Sequence, residues 1–322
     1  MSSWYDGRTV LVTGGNGFLG SHVVETLKDR ERDVTVAAPP SDRYDLRRGE
    51  DIRRMLADVN PDTVIHLAAT VGGIGAIDRH PGRHFYENAI MGIELLEQAR
   101  RKGVEKCTVV GSACAYPASV EVPFSEDDLF EGYPEETNAP YGLAKRALVA
   151  QGQAYRREYG FNCIHLIPVN LFGPRDTFDI EDAHVIPALI RKCIEARETG
   201  RSTVTAWGTG SATRDFLYVK DAAVGILDAT AAYNDRDPVN LGSGMERSIR
   251  DVLEVIVEET GFSGQVEWDT SKPDGTPRRC LDTSRAREQF GWKATTGFRE
   301  GIQKTISWYE RHRVESNWPT KE

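Results

Sequence analysis

The chain has 322 residues, 39% hydrophobic and 28% charged, the proportions of a globular protein and not of a disordered one. Its 40 Lys and Arg against 49 Asp and Glu give a formal charge of -9, which offers nucleic acid or an anionic membrane no general attraction; an anionic small molecule needs only a local basic pocket. No segment approaches the roughly 18 apolar residues of a membrane span and the N-terminus lacks a signal-peptide pattern, so a soluble, cytoplasmic protein is expected, with neither nucleic acid nor membrane as partner.

Residues 9–13, "TVLVT", are a β-branched run ending at glycines, and "NGFLGSHVVETLKDR" repeats its apolar positions at helical spacing, which predicts strand, tight turn and helix. The same grammar predicts a strand at 33–38, a helix at 49–59, a strand at 62–69, a helix at 84–103 stopped by Gly103, and a strand at 106–112. A helix at 141–160 and a strand within 162–174 follow. This alternation predicts an α/β fold, a Rossmann-like parallel sheet flanked by helices, with ligands beyond the carboxyl ends of the strands. After Pro174 an acidic link, a helix at 185–198 and short pieces such as "STVTAWGTG" predict a smaller mixed C-terminal substrate-binding lobe. Residues 1–174 are read as mainly the dinucleotide-binding domain and 175–322 as mainly the substrate-binding lobe, with segments near 215–244 returning to the Rossmann core. The five cysteines, at 107, 114, 163, 193 and 280, have no CxxC spacing and the seven histidines no HExxH motif, so no disulfide framework, redox pair or protein-built metal site is expected.

"TGGNGFLG" sets Gly14, Gly17 and Gly20 between a strand and a helix, where small residues permit a tight turn and backbone amides reach a pyrophosphate. At the end of the second strand, where NAD-specific folds often carry an acidic group, the chain reads Ala38-Pro39-Pro40, while Ser41 and Arg43 offer contacts to a ribose phosphate. NADP(H) is therefore favoured over NAD(H). Asp45 is read either as an adenine contact or as a cap for "LRRGEDI".

Ser112 ends a strand at the ligand-binding edge, and "YGLAK" sets Tyr141 and Lys145 four apart on one helix face. In that pattern Lys145 lowers the phenol pKa and binds the nicotinamide ribose, Tyr141 exchanges a proton with substrate, and Ser112 orients the same oxygen. By residue type alone Cys114 reads as a small buried side chain and His184 as a helix cap or packed polar group. Trp207 and Trp268 suit either a pocket or the core, and Asn88 and Asn170 are ordinary structural hydrogen-bonding groups.

The glycine turn, "HLAA" at 66–69, Ser112 and YxxxK resemble the extended short-chain dehydrogenase/reductase superfamily. More specific strings run through nearly the whole chain: "VGGI" at 71–74, "GSACAYP", "EETNAPYGLAK", "HVIPALI", "WGTGSATRDFLYVKD" and "WDTSKPDGTPRR". Together they resemble the GDP-L-fucose synthase family, in which GDP-4-keto-6-deoxy-D-mannose is epimerised at C3 and C5 and reduced at C4. The resemblance implies a reductase triad of Ser112, Tyr141 and Lys145, a proton-abstracting thiol at Cys114 and a proton donor at His184. It implies cofactor contacts from the glycine turn with Phe18 and Leu19, from Ser41, Arg43, Asp45 and Ala68, and from Tyr141, Lys145, Pro168, Asn170 and His184. Sugar-nucleotide contacts are implied at Lys192, Trp207, Arg214, Lys272, Asp274 and Arg278, and a homodimer is implied as well. Three departures stand out: Ala115 follows Cys114 where the family commonly has isoleucine, Lys192 takes a position often held by arginine, and the NADP-phosphate region lacks the arginine-rich loop found in some relatives. Other readings of the same residues are a non-epimerising GDP-4-keto-sugar C4-reductase, a GDP-mannose 3,5-epimerase, and a cofactor-binding protein without turnover.

Overall fold

The structure is a computed structural model that describes residues 3–72, 74–179, 183–272 and 274–313. Of the strings above, Gly73 of "VGGI" and Pro273 of "WDTSKPDGTPRR" lie outside the described residues.

Short β-branched strands alternate with longer helices through the first half: β1 Arg8–Thr13, α1 Phe18–Arg30, β2 Val34–Ala37, α2 Gly49–Val59, β3 Thr63–His66, α3 Ile74–Arg79, α4 Pro81–Lys102, β4 Lys106–Val110, α5 Ala139–Tyr159 and β5 Asn162–Pro168. There follow β6 Asn170–Phe172, α6 Val185–Thr199, β7 Thr203–Trp207, β8 Thr213–Tyr218, α7 Val219–Ala232, β9 Val239–Leu241 and β10 Glu246–Ser248. The chain ends with α8 Ile249–Thr260, β11 Gln265–Asp269, β12 Arg278–Arg279, α9 Ser284–Phe290 and α10 Phe298–His312.

Six strands pair in parallel in the order β2-β1-β3-β4-β5-β9. Because side chains alternate along a strand, each central strand feeds two cores. Val10, Val12, Ile65, Ile164 and Leu166 join Val23 and Leu27 of α1 and Ile226 of α7 on one face. Leu11, Val64, Val109 and Cys163 join Met55 of α2, Leu95 of α4 and Leu148 of α5 on the other. The sheet is therefore covered on both faces, as a parallel sheet must be, and the Rossmann-like expectation holds. The chain leaves β1 for β2 on one side and returns to β3 on the other, so the topological switch lies at the carboxyl ends of β1 and β3.

A third core gathers Phe172, Phe178, Ile190 of α6, Val204 of β7, Val252 and Ile256 of α8 and Ile302 of α10. Strand β8 stands between the two lobes: Phe216 and Tyr218 face this smaller core while Leu217 faces the larger one. It pairs with β10, β12 and β6, and β7 pairs with β11.

Element ends differ from expectation for local reasons. Helix α4 starts at Pro81 and not at 84, because proline is tolerated in the first turn. Strand β3 stops at His66, and beyond it side chains replace the ladder: Ala68 N donates to Thr13 Oγ1, Thr70 N donates to Asn88 Oδ1, and Asn88 Nδ2 donates to the Thr70 carbonyl. Asn88 thus shapes the loop that borders the switch point. Helix α2 has Arg48 at its cap position without a side-chain cap, so Asp45 does not cap it.

A Cβ on Gly20 would overlap the Gly14 carbonyl oxygen and stand 2.7 Å from Gly14 C and Gly15 Cα, backbone atoms that cannot swing aside. Gly20→Ala is therefore expected to cost about 1–3 kcal/mol and lower the melting temperature in thermal denaturation. Gly82→Ala, in the first turn of α4 with nothing within 4 Å of a new Cβ, is expected to leave it unchanged; equal melting temperatures for the two variants would contradict the packing described.

Candidate active site

Gly14 turns the chain out of β1 with φ +69, and a Cβ there would lie 2.8 Å from Ala68 N. Gly17 N donates back to the Gly14 carbonyl at 3.0 Å and Gly17 then forms the N-cap of α1, with no side-chain cap and no acid in the first turn. The amides of Phe18, Leu19 and Gly20 are thereby left for an anionic ligand at the positive end of the helix. Phe18 and Leu19 are half-buried, with Leu19 packed on the larger core.

After β2 the chain runs Ala38-Pro39-Pro40, followed by exposed Ser41 and Arg43, and no carboxylate stands at the strand end. Arg43 lies over Tyr44 at 5.1 Å, and Tyr44 donates to Asp58. Asp45 is occupied: its carboxylate accepts from Arg47 N, Nε and Nη2, and these bonds hold its pKa below the usual carboxylate range. These bonds tie it to its own loop.

Beyond β4, Ser112 starts a 3-10 turn over Ala113–Ala115, and its Oγ accepts from Cys114 N at 3.2 Å. Helix α5 lies on this turn, because a Cβ at Gly142 would overlap the Cys114 carbonyl oxygen and stand 3.0 Å from its carbon. That approach brings Tyr141 and Lys145 beside Ser112 and Cys114. Lys145 Nζ donates to the Val110 carbonyl at 3.1 Å, lies 5.7 Å from the centre of the Tyr141 ring, and is lowered by burial to about 8. The phenol itself is pushed up, first by burial and then by Cys114, so in the free protein burial outweighs the lowering expected from Lys145. Near Lys145, His66 Nδ1 lies 2.8 Å from Thr13 Oγ1, and burial followed by the Lys145 charge lowers this imidazole to about 3. It stays neutral and structural. Ser112 is bonded to the Cys114 amide and not to Tyr141.

Cys114 is half-buried, and Arg279 Nη1 donates to its sulfur at 3.4 Å. The cation beside the thiol is thus an arginine from β12. Beside it on β8 is Arg214, lowered to about 10 by burial and then by Arg279, with Nη1 donating to the Thr213 carbonyl.

His184 stands at the N-cap of α6 without making a cap bond, its side chain 55% exposed and its Nδ1 3.9 Å from Asp176 Oδ1. The Asp176 carboxylate beside it raises its pKa against the opposing effect of partial burial. No hydrogen bond or ion pair joins it to Cys114, Tyr141 or Lys145 among the described residues. Pro168 is buried at the end of β5 opposite Leu241 of β9, and Asn170 Nδ2 donates to the Asp215 carbonyl of β8.

In the smaller lobe, Trp207 is 63% exposed, with Lys192 Nζ 5.8 Å and Lys272 Nζ 5.6 Å from its ring centre. Asp274 accepts from Thr209 N and Oγ1, both at 2.7 Å. Trp268 packs instead on the smaller core, under Arg250. Arg278 is turned away: it pairs with Glu246, whereas Arg279, next along the strand and so on its other face, meets Cys114.

A model of the NAD dependent epimerase/dehydratase family matches residues 10–242. The chain is 40% identical over 300 residues to GDP-L-fucose synthase of Sinorhizobium fredii, covering 93% of this chain and 95% of that protein. The chain belongs to the GDP-L-fucose synthase family. It is also 37% identical to GDP-L-fucose synthase 1 of Arabidopsis thaliana, over 93% of this chain and 92% of the relative. A crystal structure of a GDP-L-fucose synthetase from Naegleria fowleri bound to NADP superposes with a TM-score of 0.87 at 30% identity, covering 97% of each chain. Within the family's frame the sequence reading linked neither Arg279 to Cys114 nor Gly142 to the approach of α5. Gly142 was recoverable as a glycine beside the tyrosine on a docking helix; nothing local marked Arg279 above Arg278.

An ammonium that deprotonates near pH 8 gives a binding signature. NADPH is expected to bind more weakly as pH rises from 7 to 9, because Lys145 is charged below its pKa of about 8 and neutral above it. Fluorescence titration of Lys145→Met should give weaker binding and lose that slope; a slope equal to wild type would remove Lys145 from cofactor binding.

Proposed function

We propose that the chain converts GDP-4-keto-6-deoxy-D-mannose to GDP-L-fucose by C3 and C5 epimerisation followed by NADP(H)-dependent reduction at C4. The observation that carries this reading is the convergence of a cation-bonded thiol, a serine and the Tyr141–Lys145 pair at the carboxyl edge of the sheet, in a chain of this family. The uncapped α1 terminus and the strand end lacking a carboxylate fit NADP(H). When bound, that cofactor supplies the hydride that reduces the C4 carbonyl.

The C4 ketone acidifies the C3 and C5 hydrogens. Cys114 removes a proton from one face while Ser112 and Tyr141 donate to the C4 oxygen, and His184 returns a proton to the other face. Its pairing with Asp176 favours the protonated imidazole that this step requires. In the reduction Tyr141 gives its proton to the C4 oxygen and Lys145 stabilises the resulting phenolate. Lys192, Trp207, Lys272, Arg214 and Asp274 are assigned to the GDP moiety: an exposed aromatic face flanked by ammonium groups suits a nucleobase, and a half-buried guanidinium suits a diphosphate. Arg278 is left out because Glu246 occupies it.

The division into a dinucleotide-binding part, residues 1–174 with returns near 215–244, and a substrate lobe within 175–322 is supported by the separate apolar cores. A homodimer is supported by Phe85, Tyr86 and Ile93, large apolar side chains exposed on α4. Among the described residues no helix is long and apolar enough to cross a membrane. A cytoplasmic setting is supported by five free thiols.

Turnover with NADPH in deuterated water is expected to place solvent deuterium at C3 and C5 of the product and none at C4. Cys114→Ser should reduce that incorporation by roughly 100-fold or more while keeping NADPH binding. C4 reduction without deuterium at C3 or C5 would contradict epimerisation and identify a plain C4-reductase.

A further inference from the structure

Arg279 is the one residue of β12 whose partner is a sulfur. Its Nη1 donates to Cys114 Sγ at 3.4 Å across a sequence separation of 165 residues, while its Nε is buried without a hydrogen-bond partner. Among the described residues it has no carboxylate partner, in contrast to Arg278, which is held by Glu246. The arrangement is built from both sides. Strand β12 is fixed in register to β8, with Arg279 opposite Arg214. Immediately after it, Phe124 N donates to the Cys280 carbonyl and Asp282 N to the Phe124 carbonyl, both at 2.9 Å, tying this segment to the loop that descends from the Cys114 turn. On the thiol side, the Ser112 bond to the Cys114 amide and the contact of α5 at Gly142 fix the cysteine backbone.

We propose that Arg279 is a positioning residue that holds Cys114 as an aimed thiolate for proton abstraction; this rests on the reading of Cys114 as the epimerisation base. A free cysteine thiol has a pKa of about 8.5 and is only slightly ionised at neutral pH. A cation in hydrogen-bond contact lowers such a pKa by roughly 1–3 units. Arginine suits this task because it does not deprotonate in the working range, so the bias toward thiolate does not itself titrate. The groups facing Cys114 are Arg279 from β12, Arg214 from β8 and the Tyr141 phenol from α5, two cations and a group that burial keeps neutral. In the proton transfer the thiolate forms an S–H bond as the C3–H electrons pass into the enolate; Arg279 keeps its protons throughout.

The test is the rate of Cys114 alkylation by iodoacetamide at pH 7, followed on its own peptide by mass spectrometry so that the four buried cysteines do not contribute. Arg279→Gln should slow alkylation about tenfold, with solvent-deuterium incorporation at C3 and C5 falling in parallel; Arg279→Lys should restore most of both. An unchanged alkylation rate in Arg279→Gln overturns the proposal, and weakened GDP binding beside it would assign the guanidinium to the diphosphate alone. Full deuterium incorporation by Cys114→Ser would instead refute Cys114 as the base, and would leave the alkylation result to judge the Arg279 contact separately.

Discussion

Helix α5 lies against the turn after β4 with no room for a side chain at Gly142, where a Cβ would stand 3.0 Å from the Cys114 carbonyl carbon. This single approach brings two sets of groups into one volume. The turn contributes Ser112 and Cys114, and the first turns of the helix contribute Tyr141 and Lys145. Neither set is useful alone: a thiol without a donor for the C4 oxygen would face an unstabilised enolate, and a tyrosine without substrate held against it would have no oxygen to protonate. The parallel sheet underneath supplies the rigidity, since β4 and β5 are buried on both faces.

The smaller lobe completes the site through β8, which shares its side chains between two cores and carries Arg214 at its start. Strand β12, only two residues long, sends Arg278 to a surface carboxylate and Arg279 to the thiol. Burial then sorts the ionisable groups. It brings Lys145 down to about 8 and pushes Tyr141 up, whereas Asp176 favours the charged form of His184. A cationic thiol partner, a neutral phenol and an imidazole biased toward its acid form are the states that inversion by proton transfer followed by reduction requires.

Much of this was legible in the chain because its signals are local. Short β-branched apolar runs, the glycines after β1, Gly103 after α4 and the four-residue spacing of Tyr141 and Lys145 each report on neighbours a few residues away. What escaped was set by distant contacts. Arg279 meets Cys114 only because β12 pairs with β8 and the Phe124 segment bridges to it. Arg278 and Arg279 are chemically identical, and strand alternation alone separates surface pairing from the active site. The bonds from Arg47 to Asp45, two residues apart, likewise depend on how the loop after β2 folds back on itself.

Inversion and reduction are proposed to be distinct chemistries in one pocket, with Cys114 and His184 serving only the first and Tyr141 serving both. The most direct measurement is incubation of the wild-type protein with the 4-keto sugar nucleotide in deuterated water with NADP+ in place of NADPH, followed by isotope analysis of the recovered ketone. Deuterium is expected to accumulate at C3 and C5 while the C4 ketone persists. Exchange that appears only when NADPH is turned over would contradict it.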